Sequence, residues 1–380
     1  MNGVRVCCIN CGSSSVKLNV YQYNPTDNQL QPLKSSHTKN SLDAVQAFNE
    51  LGIDINQIHM IVHRYVNGGH QLRQSCIIND KVYNELHDTV KLDKLHNQPA
   101  LTFISHCTQL IQNTTNCKTK QAVVFDTEYY MNITDEYKLY ALPQLDTTYP
   151  IIRYSFHGIA HQSMVNQYNS IHVNKNDMKL ITLQLGSGCS ATAIHNNEPI
   201  TSSMGFTPLE GLIMSTRCGT IDCNIVLYLQ RELHMSIDEI ESLLYHKSGL
   251  LGITNGYSND MQKILESSNT NQLCQLAVDM FVNRVIQTIG SYTAILNGCD
   301  SICFGGGIGE NSSQIRELIC HKLQWLGVEL DTNINNQHEY KHITCISTTS
   351  SKVSVYVVPV DEAILMAKNV IPLINIKNNL

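Results

Sequence analysis

Several short stretches carry residue types whose spacing suits chemistry. Ile9-Asn10-Cys11-Gly12-Ser13-Ser14-Ser15-Val16-Lys17 sets an amide, three hydroxyls and an ammonium in the turn between two apolar runs, a set suited to phosphate oxygens. Asp126 ends the strand-like run 120–126, KQAVVFD, and the carboxyl end of a strand is where ligand groups gather in open α/β sheets. Arg64 lies in VHRYVNGG and Arg217 in STRCGT. An arginine closely followed by glycine in a loop can clamp a carboxylate or phosphate with two parallel hydrogen bonds. His157 and His161 stand four apart in HGIAH, without the glutamate a zinc protease needs. GGGIGENSS follows a short apolar run, so it puts flexible backbone, and then a helix N-terminus that favours anions, beside any ligand. No Walker-type phosphate loop occurs, and the third glycine of a dinucleotide fingerprint is missing. Cys8 and Cys11 form a C-x-x-C, but no second pair has zinc-like spacing.

These residues need elements to hold them. Residues 3–10 read as a buried strand and 16–23 alternate, which predicts a hairpin. Residues 27–56 are polar and predict a weakly structured excursion. Strands are expected at 58–65 and 120–126, with helices at 81–91 and 98–112. A second hairpin at 179–195, KLITLQLGSGCSATAIH, repeats the pattern of the first and suggests an internal duplication. Helices follow at about 221–233, 236–246 and 271–297. A strand at 301–304 leads into the glycine-rich turn, then come a helix at 311–325, a strand at 353–358 and a helix at 361–371. Strands and helices alternate through 380 residues, so two α/β domains with mixed sheets around a cleft are expected. Net charge is −6, which gives no basic field for nucleic acid. No apolar run approaches the roughly 20 residues that span a bilayer. The opening residues do not read as a signal peptide, and 14 Cys then read as reduced thiols in a cytosol.

Taken in order, INCGSSSVK, HRYVNGG, LHNQPA, VVFDTEYY, YSFHGIAHQ, LGSGCSATAI, SSMGFTPLEGLIMSTRCGTID, NGYSNDM, GGGIGENS and VVPVDEA resemble the blocks of the acetate and propionate kinase family. The resemblance runs from residue 4 to about 365. It implies a duplicated actin-like ATPase fold, with one domain of residues 1–130 plus 364–380 and a nucleotide-binding domain of residues 131–363, as a homodimer. It implies reversible transfer of a phosphoryl group from ATP to acetate with Mg²⁺, for which Mn²⁺ could substitute, giving acetyl phosphate and ADP.

By that resemblance Arg64 and Arg217 grip carboxylate and phosphoryl oxygens. His157 donates to the transferring group in the transition state. Asp126 positions a catalytic group or a metal-bound water. Asn10 and Glu362 hold the metal, Ser13, Ser15 and Lys17 face the phosphates, and His96 lines the cleft. Val66, Leu95, Phe156 and Pro208 form a small apolar pocket for the methyl group. Gln184, Gly186, Ser187, Gly188, Asp260, Met261, Gln262, Gly307, Ile308, Gly309 and Asn311 contact the nucleotide.

The chain departs from the family mainly on the donor side. Asn67 stands where a His is usual, Gln184 and Ser187 where His and Asn are usual, and Met261-Gln262 where Phe-Arg is usual. Asp361 replaces an Asn. Val66 leans towards acetate over propionate, although one methylene discriminates by only ~1–3 kcal/mol. The alternatives are a propionate kinase, an acyl kinase whose donor is GTP or pyrophosphate, and a non-catalytic sensor that kept the fold. A sugar kinase would need a carboxylate base and a larger polar site.

Overall fold

The computed structural model describes residues 3–12, 15–39, 43–172 and 177–374. Ser13 and Ser14 of the first turn lie outside the described residues. The chain forms two compact units: residues 1–131 with 146–150 and 361–380, and residues 132–145 with 151–360.

The first unit is built on strands β1 (Val4–Cys11), β2 (Ser15–Asn24), β3 (Gln29–Lys39), β4 (Met60–Tyr65), β5 (Cys76–Ile77) and β6 (Lys120–Phe125). Their order in the sheet is β3-β2-β1-β4-β6-β5. β1, β2 and β3 form an antiparallel meander, β4 and β6 add in parallel with β1, and β5 closes the far edge antiparallel. The second unit has β7 (Lys179–Leu185), β8 (Cys189–His195), β9 (Glu198–Ser202), β10 (Ser301–Gly305), β11 (Thr344–Cys345) and β12 (Ser354–Val357). These run β9-β8-β7-β10-β12-β11, with the same parallel and antiparallel pairings. The expected duplication therefore holds strand for strand.

Alternation explains β2. Val16, Leu18 and Val20 are buried and Lys17 between them is exposed. The buried side packs against Ala44, Ala47, Phe48 and Leu51 of the helix Ala44–Leu51, whose apolar residues recur at helical spacing. Asp43 caps that helix by accepting the Gln46 N–H, and Gly52 ends it in the left-handed region at φ 64°. The weakly structured excursion expected over 27–56 is thus corrected: it holds β3 and this helix. β3 carries Pro32, which an edge strand tolerates because its outward side needs no ladder donor. The glycine-rich turn expected after β10 is also corrected. The strand runs directly into a helix Gly306–Asn311, and a second helix, Ser313–Lys322, follows after Ser312.

In the middle of the first sheet His63 is fully buried, and its Nε2–H donates to Gln121 Oε1 at 2.8 Å. Burial holds the imidazole down at about 4, from an ordinary 6.5. The neutral ring's stabilisation is therefore present above the ordinary value and is lost as pH falls through about 4. Unfolding free energy should drop by about 3 kcal/mol across that window on account of this residue. Urea titrations of the wild type and His63→Gln at a series of pH values would read it. A variant that lost stability over the window as steeply as the wild type would show that His63 is not the cause.

Candidate active site

In the first unit, parallel register brings three side chains to one edge. Asn10 lies near the end of β1, Arg64 near the end of β4, and Asp126 directly after β6. Arg64 pairs with Val124 across the ladder, and the Asp126 N–H donates to the Tyr65 carbonyl. Arg64 Nε donates to Asp126 Oδ1 at 2.9 Å and Nη2 to Oδ2 at 2.6 Å, a side-on bidentate pair. The third nitrogen, Nη1, reaches Asn10 Oδ1 at 3.4 Å and Glu362 Oε2 at 3.5 Å. Asn10 Nδ2 also donates to Glu362 Oε2 at 3.3 Å. Glu362 opens the helix Glu362–Val370, which Asp361 caps by accepting the Ile364 N–H.

The energetics of this cluster are uneven. Burial works against the charge on Arg64, but Asp126 and Glu362 hold the guanidinium firmly protonated. Burial pushes the Glu362 carboxyl up. Arg64 and Lys17 pull it down, while Asp126 and Asp361 push it further up. The Asp126 side chain is only 1% exposed, with both oxygens committed to Arg64.

Asn10, Glu362 and Asp126 offer only oxygen donors, with few carboxylates. That fits a magnesium ion, which keeps water and substrate phosphate ligands and takes one or two carboxylates from the protein. Among the described residues no group of three or more His, Cys, Asp or Glu could hold a metal unaided.

His96 sits one turn into the helix Lys94–Asn113, with Nδ1 at 3.0 Å from both oxygens of the buried Asp93. Val66 follows β4 and is buried, and Leu95 is half-buried. Asn67 and Asn97 join their two segments by reciprocal hydrogen bonds of 3.2 and 2.9 Å. Of the C-x-x-C pair, burial pushes Cys8 well above the ordinary thiol range and Cys11 up to about 12, so neither presents a thiolate.

The second unit gathers the other sequence-predicted residues. His157 begins the helix Gly158–Ile171 in the left-handed region, at φ 59° and ψ 25°. A non-glycine residue there costs of order 1–3 kcal/mol and is retained only where its surroundings fix it. A Cβ built on Gly188 would lie 3.2 Å from His157 Nε2 and 3.6 Å from Arg217 Nη2, so both side chains close on that glycine. Arg217 Nη1 donates to the buried Pro208 carbonyl at 2.9 Å. The loop carrying Arg217 is pinned by Leu250 N–H to Met214 O and Ser248 N–H to Thr216 O. Gly249 between them, at φ 59°, leaves no room for a Cβ against Met214 O and Arg217 O. Phe156 is fully buried. Of the four residues expected around the methyl group, Val66 and Leu95 thus belong to the first unit and Phe156 and Pro208 to the second.

A cavity of about 800 Å³ adjoins this corner. Gly186, Ser187, Asp260, Met261, Gln262, Gly307, Ile308 and Asn311 line it. So do Asn259 and Ser312, which lie in the NGYSNDM and GGGIGENS blocks, and Leu265 and Glu266, which sequence reading missed. The miss has a cause, since Leu265 and Glu266 carry no motif and only the fold collects them. Among the described residues no Lys or Arg lines the cavity. Gly309 is buried, and its carbonyl accepts from the fully buried Arg316 at 2.9 Å. The Gly306 N–H, the amide nearest the strand end, is taken by Glu310 Oε1 at 2.9 Å. Burial raises the Glu310 carboxyl, against the hydrogen bonds it accepts from Val360 and Gly306. The Gln184 Oε1 is buried with no hydrogen-bond partner among the described residues, which leaves one polar group in reserve for a ligand.

The profile described as the Acetokinase family matches residues 31–368. The chain belongs to that family. It is a phosphotransferase whose acceptor is a carboxyl group. It is 42% identical to the acetate kinase of Clostridium botulinum over 320 residues, 83% of this chain and 78% of that protein. Its fold is similar to that of Porphyromonas gingivalis acetate kinase, with a TM-score of 0.83, 28% identity and coverage of 97% of this chain and 99% of that one. A propionate kinase from Francisella tularensis aligns with a TM-score of 0.85 at 30% identity, over 96% and 98% of the two chains. The family match begins after Asn10 and Lys17, of which Asn10 has its hydrogen bond to Glu362 and Lys17 an electrostatic pull on the same carboxyl.

Removing Arg64 would leave Asp126 buried without its cation. Arg64→Ala should destabilise the chain by about 3–5 kcal/mol, and adding Asp126→Asn should recover part of that. Denaturant midpoints of the two variants test this, and a loss below ~1 kcal/mol for Arg64→Ala would mean the pair is not structural.

Proposed function

We propose that the chain is an acetate kinase that moves the terminal phosphoryl group of ATP onto acetate. The observation that carries the reading is the convergence of His157 Nε2 and Arg217 Nη2 on Gly188, next in sequence to Gly186 and Ser187 of the lining of a cavity sized for a nucleoside. A cation and a ring nitrogen aimed at one glycine suit a group whose charge spreads over equatorial oxygens.

Acetate is already ionised at neutral pH, so its oxygen can attack phosphorus without a general base. The bond between phosphorus and the β–γ bridging oxygen breaks as the new P–O bond forms, giving acetyl phosphate and ADP. Nothing in this step asks Asp126 to take a proton. Its two oxygens orient the Arg64 guanidinium, and Nη1 is left directed towards Asn10 and Glu362. Arg64 would steady the carboxylate, and Arg217 would neutralise charge on the moving phosphoryl group. Asn10 and Glu362 would hold Mg²⁺, which supplies charge neutralisation at the phosphate oxygens when bound.

The cavity's volume of about 800 Å³ and its apolar lining by Met261, Leu265 and Ile308 support a nucleotide donor over bare pyrophosphate, which has no apolar part to fill it. GTP remains the donor to compare with ATP, because Met261 and Gln262 provide no ring to stack on a particular base. Val66 favours acetate over propionate. A homodimer is part of the proposal. The helix Cys223–Glu232 has no buried residue and exposes Ile225, Leu227 and Tyr228, a face that a second copy would cover.

A hydroxamate assay for acyl phosphate tests the reaction with acetate or propionate and ATP, GTP or pyrophosphate. Acetate with ATP should give the strongest signal, and Arg217→Ala should lower it at least ~100-fold. Val66→Ala should improve propionate relative to acetate by ~10-fold. Absence of acyl phosphate with every donor would sink the reading. Light scattering should find a dimer, and Tyr228→Asp should shift it towards monomer; a monomeric wild type would remove the dimer from the proposal.

A further inference from the structure

His157 is the outer end of a chain of hydrogen bonds that runs into the core of the second unit. Its Nδ1 lies 2.8 Å from Ser190 Oγ, which lies 2.8 Å from His161 Nε2. His161 Nδ1 is in turn 2.7 Å from Thr182 Oγ1. His161, Ser190 and Thr182 are all fully buried. The arrangement follows from two spacings. His157 and His161 are one helical turn apart, so they share a face. Thr182 pairs with Thr192 and Gln184 with Ser190 across β7 and β8, which puts the Thr182 and Ser190 side chains diagonally on one face of the sheet.

The proton order along this chain can be deduced. Thr182 Oγ1 has a single hydrogen-bond partner among the described residues, His161 Nδ1. A buried hydroxyl proton needs an acceptor, so Thr182 donates and His161 Nδ1 accepts. A neutral His161 then carries its proton on Nε2 and donates to Ser190. The Ser190 hydroxyl has only the two imidazoles as side-chain partners among the described residues, so its own proton goes to His157 Nδ1. The proton of His157 is left on Nε2, the nitrogen that faces Gly188 beside Arg217.

We propose that Thr182, His161 and Ser190 are positioning residues that lock His157 as a neutral Nε2–H donor. The benefit is electrostatic. A neutral N–H beside the Arg217 guanidinium adds a hydrogen bond to the phosphoryl group without charge repulsion between the two side chains. The lock also explains how His157 keeps one ring orientation on a strained backbone. Groups that fix a functional imidazole from behind commonly matter by 10–100-fold. The inference rests on the assignment of His157 to the phosphoryl group only for its catalytic consequence. The tautomer itself can be read without turnover.

The test is ¹⁵N NMR of the imidazoles in the full chain, with His157→Gln used to assign the His157 signals. The wild type should show His157 protonated at Nε2 near neutral pH. Ser190→Ala and the near-isosteric Thr182→Val should shift His157 to a mixture of tautomers or to Nδ1–H. Ser190→Ala should also lower kcat by ~10–100-fold while the KM for the nucleotide stays within about twofold, and Ser190→Thr should restore much of the rate. Thermal unfolding of Thr182→Val checks that the fold is kept. Finding His157 protonated at Nδ1 in the wild type would overturn the proposal, as would an unchanged tautomer in both variants. A chain without acyl kinase activity but with the expected tautomers would overturn the functional reading and leave the relay standing.

Discussion

The pairing of Arg64 with Asp126 is the constraint from which the first unit's site follows. A guanidinium on one strand end and a carboxylate on the next can meet side-on only if the two strands run parallel and in register. That register fixes where β4 and β6 stop. β1 lies on the other side of β4, so Asn10 arrives at the same edge. The last helix must then start close by, because Glu362 reaches both Arg64 and Asn10. The pair stabilises the fold only while both members are present, so the sheet and the chemistry share one dependency.

The second unit solves its own positioning problem by different means on the same topology. Its strands repeat the order of the first sheet, yet its charged residue comes from a loop. Arg217 is held by its loop's backbone hydrogen bonds to residues 248–250 and by its own donation to the Pro208 carbonyl. His157 comes from a helix start and is fixed from beneath by neutral hydroxyls and a second imidazole. A carboxylate partner would pull charge onto His157, and hydroxyls do not.

Most of the fold was legible in the sequence because period-two burial and turn residues agree in β1, β2, β7 and β8. β3 escaped for a physical reason. It is an edge strand with both faces largely in water, so its sequence QLQPLKSSHTK has no alternation to read. The helix Ala44–Leu51 was legible in principle from Ala44, Ala47, Phe48 and Leu51, but its polar neighbours masked it. The charged site residues were found through ordered motifs. The relay was not, since Thr182 and Ser190 sit in strands where another small hydroxyl residue, Thr192, is buried as well and most other buried residues are apolar. A hydroxyl there is indistinguishable in sequence from a β-branched or small filler. His161 was noticed for its spacing from His157 and then set aside, because a metal was the only partner that spacing suggested.

The first unit is assembled from three separated pieces of chain, the last of them the segment that begins at Asp361. Synthesis from the N-terminus therefore delivers the second unit complete at Val360 while the first still lacks the helix that carries Glu362. Domains generally fold as units during synthesis, so here the half that starts later can be finished earlier. Until the segment that begins at Asp361 leaves the ribosome, Arg64 has Asp126 but not Glu362. The nascent chain thus carries an unfinished edge beside Arg64 until the helix Glu362–Val370 docks.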